Sequence, residues 1–329
     1  MRSFVRPVSI LVVALLLGST CFAAGELTNP TDRQGRIALL GVHQALSSMK
    51  VCDGQSPKAP IAIAGLSRYT GTGTGGGSGG TEAFDEGALG RFLQIGLQQS
   101  YDKTYEQGWN ILHSVTKRAL SELGQLPPGV RLALESGRDA SYDRSWQDAY
   151  TILHEAVRTV AHNPSDFTGA YPETFAAYLR LGRQSGYEKS YEVGWKVLEK
   201  YLGNLESNGQ PFFPSKELQL LVHAARQASY SKSWKAAYEV LHTSIKSAEG
   251  LPTGNLATFY FANALQCSYE KSYQEGYEIL RTFIEQALPS GLLATFDRAS
   301  LQTTLEASYN QSWQAAYEVL RDGLKALNK

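Results

Sequence analysis

The 329-residue chain is short of three things. It holds only three cysteines and two methionines, and its 31 basic residues match 31 acidic ones, leaving no net charge. So few cysteines exclude a disulfide-built scaffold. The missing basic excess argues against a nucleic-acid surface or an anionic membrane as partner. The third shortage is of long apolar runs. The longest spans Val8 to Leu17, follows Arg2 and Arg6, and leads into the small residues around Cys21-Phe22-Ala23-Ala24. That order is a secretory signal peptide, and the run is too short to cross a bilayer as a helix. We therefore expect residues 1–24 to be cleaved and the mature chain to be extracytoplasmic, periplasmic or secreted, with no membrane span. A lipid anchor at Cys21 is disfavoured, because Gly18 and Thr20 suit a lipoprotein cleavage site poorly. Cleavage would leave Cys52 and Cys267, whose pairing in an oxidising compartment is open from sequence, as is simple burial of Cys267.

What the chain has in abundance is aromatic, 18 tyrosines and five tryptophans, and these recur in register. Aligned on Tyr101, Tyr142, Tyr187, Tyr230, Tyr269 and Tyr309, six segments read SYDKTYEQGWNIL, SYDRSWQDAYTIL, GYEKSYEVGWKVL, SYSKSWKAAYEVL, SYEKSYQEGYEIL and SYNQSWQAAYEVL, spaced by 39 to 45 residues. Counting each tyrosine as position 0, positions 0, +4 and +8 are always aromatic and together hold all five tryptophans and 13 tyrosines. Position +3 is always serine or threonine, +7 glycine or alanine, +11 leucine. A period of this length marks an array of supersecondary units, and spacings of 0, 4, 7, 8 and 11 mark one helix face.

The fold expected is all-α: six tandem helix-turn-helix repeats of about 39–45 residues over 83–329, as a solenoid or a closed α/α array. Each unit has a helix A, a tight turn, a helix B of about five turns and a Pro/Gly connection such as Leu126-Pro127-Pro128-Gly129. The residue before the tyrosine (Ser100, Ser141, Gly186, Ser229, Ser268, Ser308) is read as the N-cap of helix B. The A–B turn lacks proline and usually glycine, so one bent helix per unit competes with the hairpin. Upstream, residues 25–69 read as an N-terminal helical arm, and 70–82, rich in glycine, as a linker.

The rings of the stripe (Tyr101, Trp109, Tyr142, Trp146, Tyr187, Trp195, Tyr230, Trp234, Tyr269, Tyr277, Tyr309, Trp313) are expected to be the structural core, with the +3 hydroxyls forming a small-residue ridge beside +7. Odd copies read Tyr–Tyr–Gly–Trp and even copies Tyr–Trp–Ala–Tyr, with Tyr277 replacing tryptophan in the fifth. Interiors packed tightly enough to register one methylene explain such alternation if B helices of adjacent units meet, making three pairs of hairpins. The row at +2, Lys103, Arg144, Lys189, Lys232 and Lys271, is the candidate partner-binding edge; its bland alternative is a solvated, locally paired charge. Histidines at +12 (His113, His154, His242) read as a variable polar site rather than as metal ligands, since other copies carry Glu199, Arg281 and Arg321 there. We find no motif for a catalytic site, cofactor or metal.

The Tyr269-Glu270-Lys271-Ser272-Tyr273 segment and its copies resemble the opening of the second helix in tetratricopeptide repeats, over roughly residues 85–329. The family's repeat is shorter, and its first-helix Trp–Leu–Gly signature is absent here. The resemblance implies α-hairpin architecture and carries over no binding residue. The expected function is a non-catalytic interaction scaffold for a protein or peptide partner. The alternative is a polysaccharide-acting enzyme or carbohydrate-binding protein, since six hairpins match the count of α/α-toroid glycosidases and lyases.

Overall fold

A computed structural model describes residues 84–122, 126–169, 172–208, 210–252 and 254–327. The signal-peptide, arm and linker readings fall on residues 1–83, outside them. The chain divides into two units between Gly79 and Gly80, and only the second is described here.

The described residues of that unit are helices and turns, without strands. Six hairpins follow one another: α1 (Glu86–Ser100) with α2 (Tyr105–Glu122); α3 (Pro128–Ser141) with α4 (Trp146–His162); then the short α5 (Ser165–Thr168); α6 (Glu173–Ser185) with α7 (Tyr191–Ser207); α8 (Lys216–Ser229) with α9 (Trp234–Glu249); α10 (Leu256–Ser268) with α11 (Tyr273–Ala287); and α12 (Thr295–Ser308) with α13 (Trp313–Leu327). Packing passes from each unit to the next as a solenoid-like array.

The boundary between A and B differs from the sequence expectation. Ser100, Ser141, Ser229, Ser268 and Ser308 are the last residues of helix A, and each hydroxyl donates back three residues, as Ser141 Oγ does to the Arg138 carbonyl at 2.6 Å. The tyrosine that follows is extended, at φ −65° and ψ 146° for Tyr101. Position +1 is then left-handed in all six copies: Asp102, Asp143, Glu188, Ser231, Glu270 and Asn310 lie between φ 56° and 61°. Short polar side chains are the non-glycine residues most tolerant of this region, and Asp, Ser and Asn fill four of the six sites. One left-handed residue reverses the chain, which is why no glycine marks the turn and why each unit is a hairpin rather than a bent helix.

Helix B therefore begins at +4, and its N-cap is the +3 hydroxyl. Ser145 accepts from the Asp148 N–H at 3.2 Å, and Thr104, Ser190, Ser233, Ser272 and Ser312 do the same three residues on. The six hydroxyls foreseen as a packing ridge are helix caps.

The buried stripe of helix B starts only at +7. In α4 it comprises Ala149, Ile152, Leu153, Ala156, Val157, Val160 and Ala161, an i, i+3, i+4, i+7 pattern. Position 0 is not on this helix at all, and +4 is its first residue, so the aromatic spacing imitates a helical stripe that the turn interrupts.

The B helices meet in pairs: α2 on α4, α7 on α9, α11 on α13. Between pairs the junction runs through A helices, α3 on α7 and α6 on α4, then α8 on α11 and α10 on α9. The odd-copy glycine receives the even-copy tyrosine. A Cβ on Gly108, Gly194 or Gly276 would lie 2.6, 2.8 or 2.9 Å from Cε2 of Tyr150, Tyr238 or Tyr317. Alanine in an open helix interior gains up to about 1 kcal/mol over glycine; Gly108→Ala is expected to lose about 1–2 kcal/mol instead, because the added methyl overpacks the Tyr150 ring. Denaturant melts should show Tyr150→Leu restoring part of that loss, a coupling of at least 0.5 kcal/mol.

Candidate functional site

The aromatic residues mark the most distinctive surface of the protein. Wherever two B helices pair, their N-terminal turns bring four rings together. In the first pair Tyr105 packs on Tyr150 (ring centroids 5.8 Å apart) and Trp109 on Trp146 (5.7 Å). The second repeats this as Tyr191–Tyr238 (5.7 Å) and Trp195–Trp234 (5.3 Å), the third as Tyr273–Tyr317 (5.9 Å) and Tyr277–Trp313 (5.6 Å). Position +4 of one helix meets +8 of the other, and the reverse, so each pair is reciprocal, as a local two-fold axis requires. The rings are inclined by 49–57° to one another rather than stacked flat.

These clusters stand largely in solvent, contrary to the core expectation. Tyr101, Tyr187 and Tyr269 are 73, 61 and 68% exposed, and Trp146, Trp234 and Trp313 are 47, 46 and 50% exposed. Tyr142, Tyr230 and Tyr309 are also exposed, as are Tyr105, Tyr191 and Tyr273. Trp109 and Trp195 are half-buried, and of the twelve rings named for the core only Tyr277 is buried. The physical reason is the helix boundary: ring 0 sits in the turn and ring +4 at the first residue of a helix whose apolar stripe begins one turn later. The hydrophobic interior is made instead by residues such as Leu153, Phe175, Leu198 and Phe283.

Two kinds of contact set the rings in place. The recessed tryptophans donate their indole N–H to the serine closing the next A helix, Trp109 to Ser141 Oγ and Trp195 to Ser229 Oγ, both at 3.0 Å. The +12 side chain of each odd copy backs the position-0 tyrosine of its even partner. His113 Nε2 lies 2.7 Å from the Tyr142 hydroxyl with its ring on Trp109, Tyr230 donates to Glu199 at 3.0 Å, and the Arg281 guanidinium lies 5.7 Å from the Tyr309 ring centre. The three clusters thus share a shape and differ in charge. Burial, with Arg138 and Lys117 adding to it, holds the His113 imidazole below its ordinary pKa. His154 packs at a tilt on Tyr150 and His242 stacks on Tyr238, and both imidazoles are lowered for the same first cause. Sequence marked +12 as a variable polar site; that it faces the tyrosine of the next unit needed the pairing.

The structure does not present the +2 row as one binding edge. Lys232 pairs with Glu278 and Lys271 with Glu239, a reciprocal exchange at +2 and +9 that ties the fourth hairpin to the fifth. Lys189 reaches Thr151 Oγ1 at 2.5 Å and Asp148 at 3.4 Å across the second-to-third junction. Arg144 is half-buried and donates to the Asp143 carbonyl, and Lys103, in the first unit, is exposed without an ion-pair partner among the described residues. Cations of the inner junctions are spent on holding units together. K232E is expected to destabilise by about 2 kcal/mol, the scale of a lost charged hydrogen bond, and K232E/E278K to recover most of it in a urea melt.

Cys267 is a free thiol buried in α10 beside Ser244 and Asn263; burial pushes its pKa up to about 11, which makes it inert. Its sequence-proposed partner, Cys52, lies outside the described residues. A polar cavity of about 330 Å³ between α4 and α6 includes Arg158, Arg180, His162 and Asp166 in its lining, but its guanidiniums are already paired, with Glu155 and Glu249.

Comparison with known proteins yields no match: neither a family profile, nor a curated protein, nor a solved structure aligns significantly with the chain.

Proposed function

We propose that this chain is a non-catalytic interaction scaffold, exported from the cytoplasm, that grips a protein or peptide partner through its three aromatic clusters. The observation that carries this reading is the exposure of paired tyrosine and tryptophan rings at three equivalent places. Single exposed apolar residues need no explanation, but clustered ones mark binding surfaces. Tyrosine and tryptophan dominate protein interfaces because each offers a large rigid face with a polar tip. A tetratricopeptide-like hairpin array suits such work, since stacked units set equal surfaces at regular intervals.

The rings favour a peptide over a sugar. A pyranose lies flat on a ring face, whereas here neighbouring rings are inclined by about half a right angle, so a flat ligand on one ring meets the edge of the next. Side chains of a polypeptide interdigitate with such a surface.

The test is affinity capture from the extracytoplasmic fraction of the source cells, run in parallel with wild-type protein and W146A/W234A/W313A. A partner retained by wild type and lost by the variant, at unchanged helical content, is the expected result. Equal capture by both overturns the reading.

A further inference from the structure

The polar tips of the clusters narrow the partner further. The indole N–H groups of Trp146, Trp234 and Trp313 have no hydrogen-bond acceptor among the described residues, and neither do the hydroxyls of Tyr101, Tyr105, Tyr187, Tyr191, Tyr269 and Tyr273. Each cluster therefore carries a free indole donor and at least one free phenol donor, with a further free phenol in the adjoining turn, all satisfied by water until a partner covers them. A covered donor without an acceptor costs roughly 1–3 kcal/mol, so the partner must bring acceptors to rings that are otherwise apolar.

Polypeptide conformations differ in their ability to do that. An α-helix uses its carbonyls internally and would leave the indole N–H groups facing aliphatic side chains. A β-strand binds by extending a sheet edge, and the described residues are helix and turn only. A polyproline II segment leaves its backbone carbonyls free, and its prolines bring no N–H that needs an acceptor. Its pyrrolidine ridges are apolar and stiff, so they fit between inclined rings at little entropic cost. Every group the clusters offer finds its complement in that one conformation.

We propose that the three clusters are docking sites for proline-rich, extended peptide segments, one segment per hairpin pair. This rests on the scaffold reading above and specifies its ligand. Because the clusters are equivalent in shape, a partner with several such segments in tandem would engage them together and gain avidity.

The probe is a synthetic decaproline peptide, titrated into the full-length protein while tryptophan emission is followed. The expected result is a saturable change with three sites per chain. Trp146→Phe keeps a ring and removes the indole donor; it should weaken one of the three sites about tenfold and leave the melting curve in place. No saturable response to decaproline, or an equal response to an alanine-rich helical peptide or to a glucan hexaose, overturns the proposal. The two readings fail separately. Ring-dependent capture of a partner combined with silence toward decaproline removes the proline-rich ligand and keeps the scaffold, whereas ring-independent capture removes both.

Discussion

Phe283→Ala is expected to destabilise the protein by about 3–5 kcal/mol, whereas Trp313→Ala, which removes a larger ring from the other helix of the same packed pair, should cost only about 1 kcal/mol. Phe283 is fully enclosed in α11 against Tyr260, with ring centroids 5.4 Å apart, while Trp313 is half exposed at the first residue of α13. Truncating a fully buried ring loses both the transfer free energy of its surface and the contacts around the cavity it leaves. A ring at a helix end leaves no enclosed cavity. Urea melts of the two variants separate interior from surface in a way that size alone would invert.

The second large effect concerns binding. Removing one exposed tryptophan from one cluster should weaken partner capture modestly, and W146A/W234A/W313A should weaken it at least a hundredfold, because linked sites lose effective concentration together with contacts. Surface plasmon resonance on the captured partner gives the sequence of losses. Additive, small steps without a collapse at the triple variant would mean that the clusters act singly.

These two expectations reverse what the spacing of the rings suggested. Intervals of four and eight residues fit an amphipathic helix, and +7 and +11 do belong to the core of helix B, so positions 0, +4 and +8 looked like the same stripe. What the sequence concealed was the left-handed residue at +1. Glycine would have announced it; Asp102, Glu188 and Ser231 do not. With the helix start displaced by four residues, the rings move from the core to the surface and the +3 hydroxyls from a ridge to a set of caps. The pairing of hairpins was legible, because a glycine alternating with alanine against a displaced tryptophan records a volume shared between neighbours, and Gly194 does receive Tyr238. The fate of the +2 cations was not. Lys232 and Lys271 find Glu278 and Glu239 across a junction between pairs, and a register read within each copy carries no signal for contacts between copies. Positions +2 and +9 are complementary in the fourth and fifth copies, and only knowledge of which helices meet makes that complementarity visible.

The +12 side chains add a consequence for pH. His113 touches both Trp109 and the Tyr142 hydroxyl, and its pKa in the folded state lies below the ordinary imidazole value. A cation less favourable folded than unfolded makes folding weaker as pH falls through that range. The first cluster should thus loosen in mild acid while the third, backed by the always-charged Arg281, should not.

The surface location of the rings can be read directly from acrylamide quenching of W109F/W195F, in which only Trp146, Trp234 and Trp313 emit. Emission readily quenched in the folded protein, at native helical content, is the result this account predicts for half-exposed indoles; emission shielded from acrylamide until the protein unfolds would contradict it.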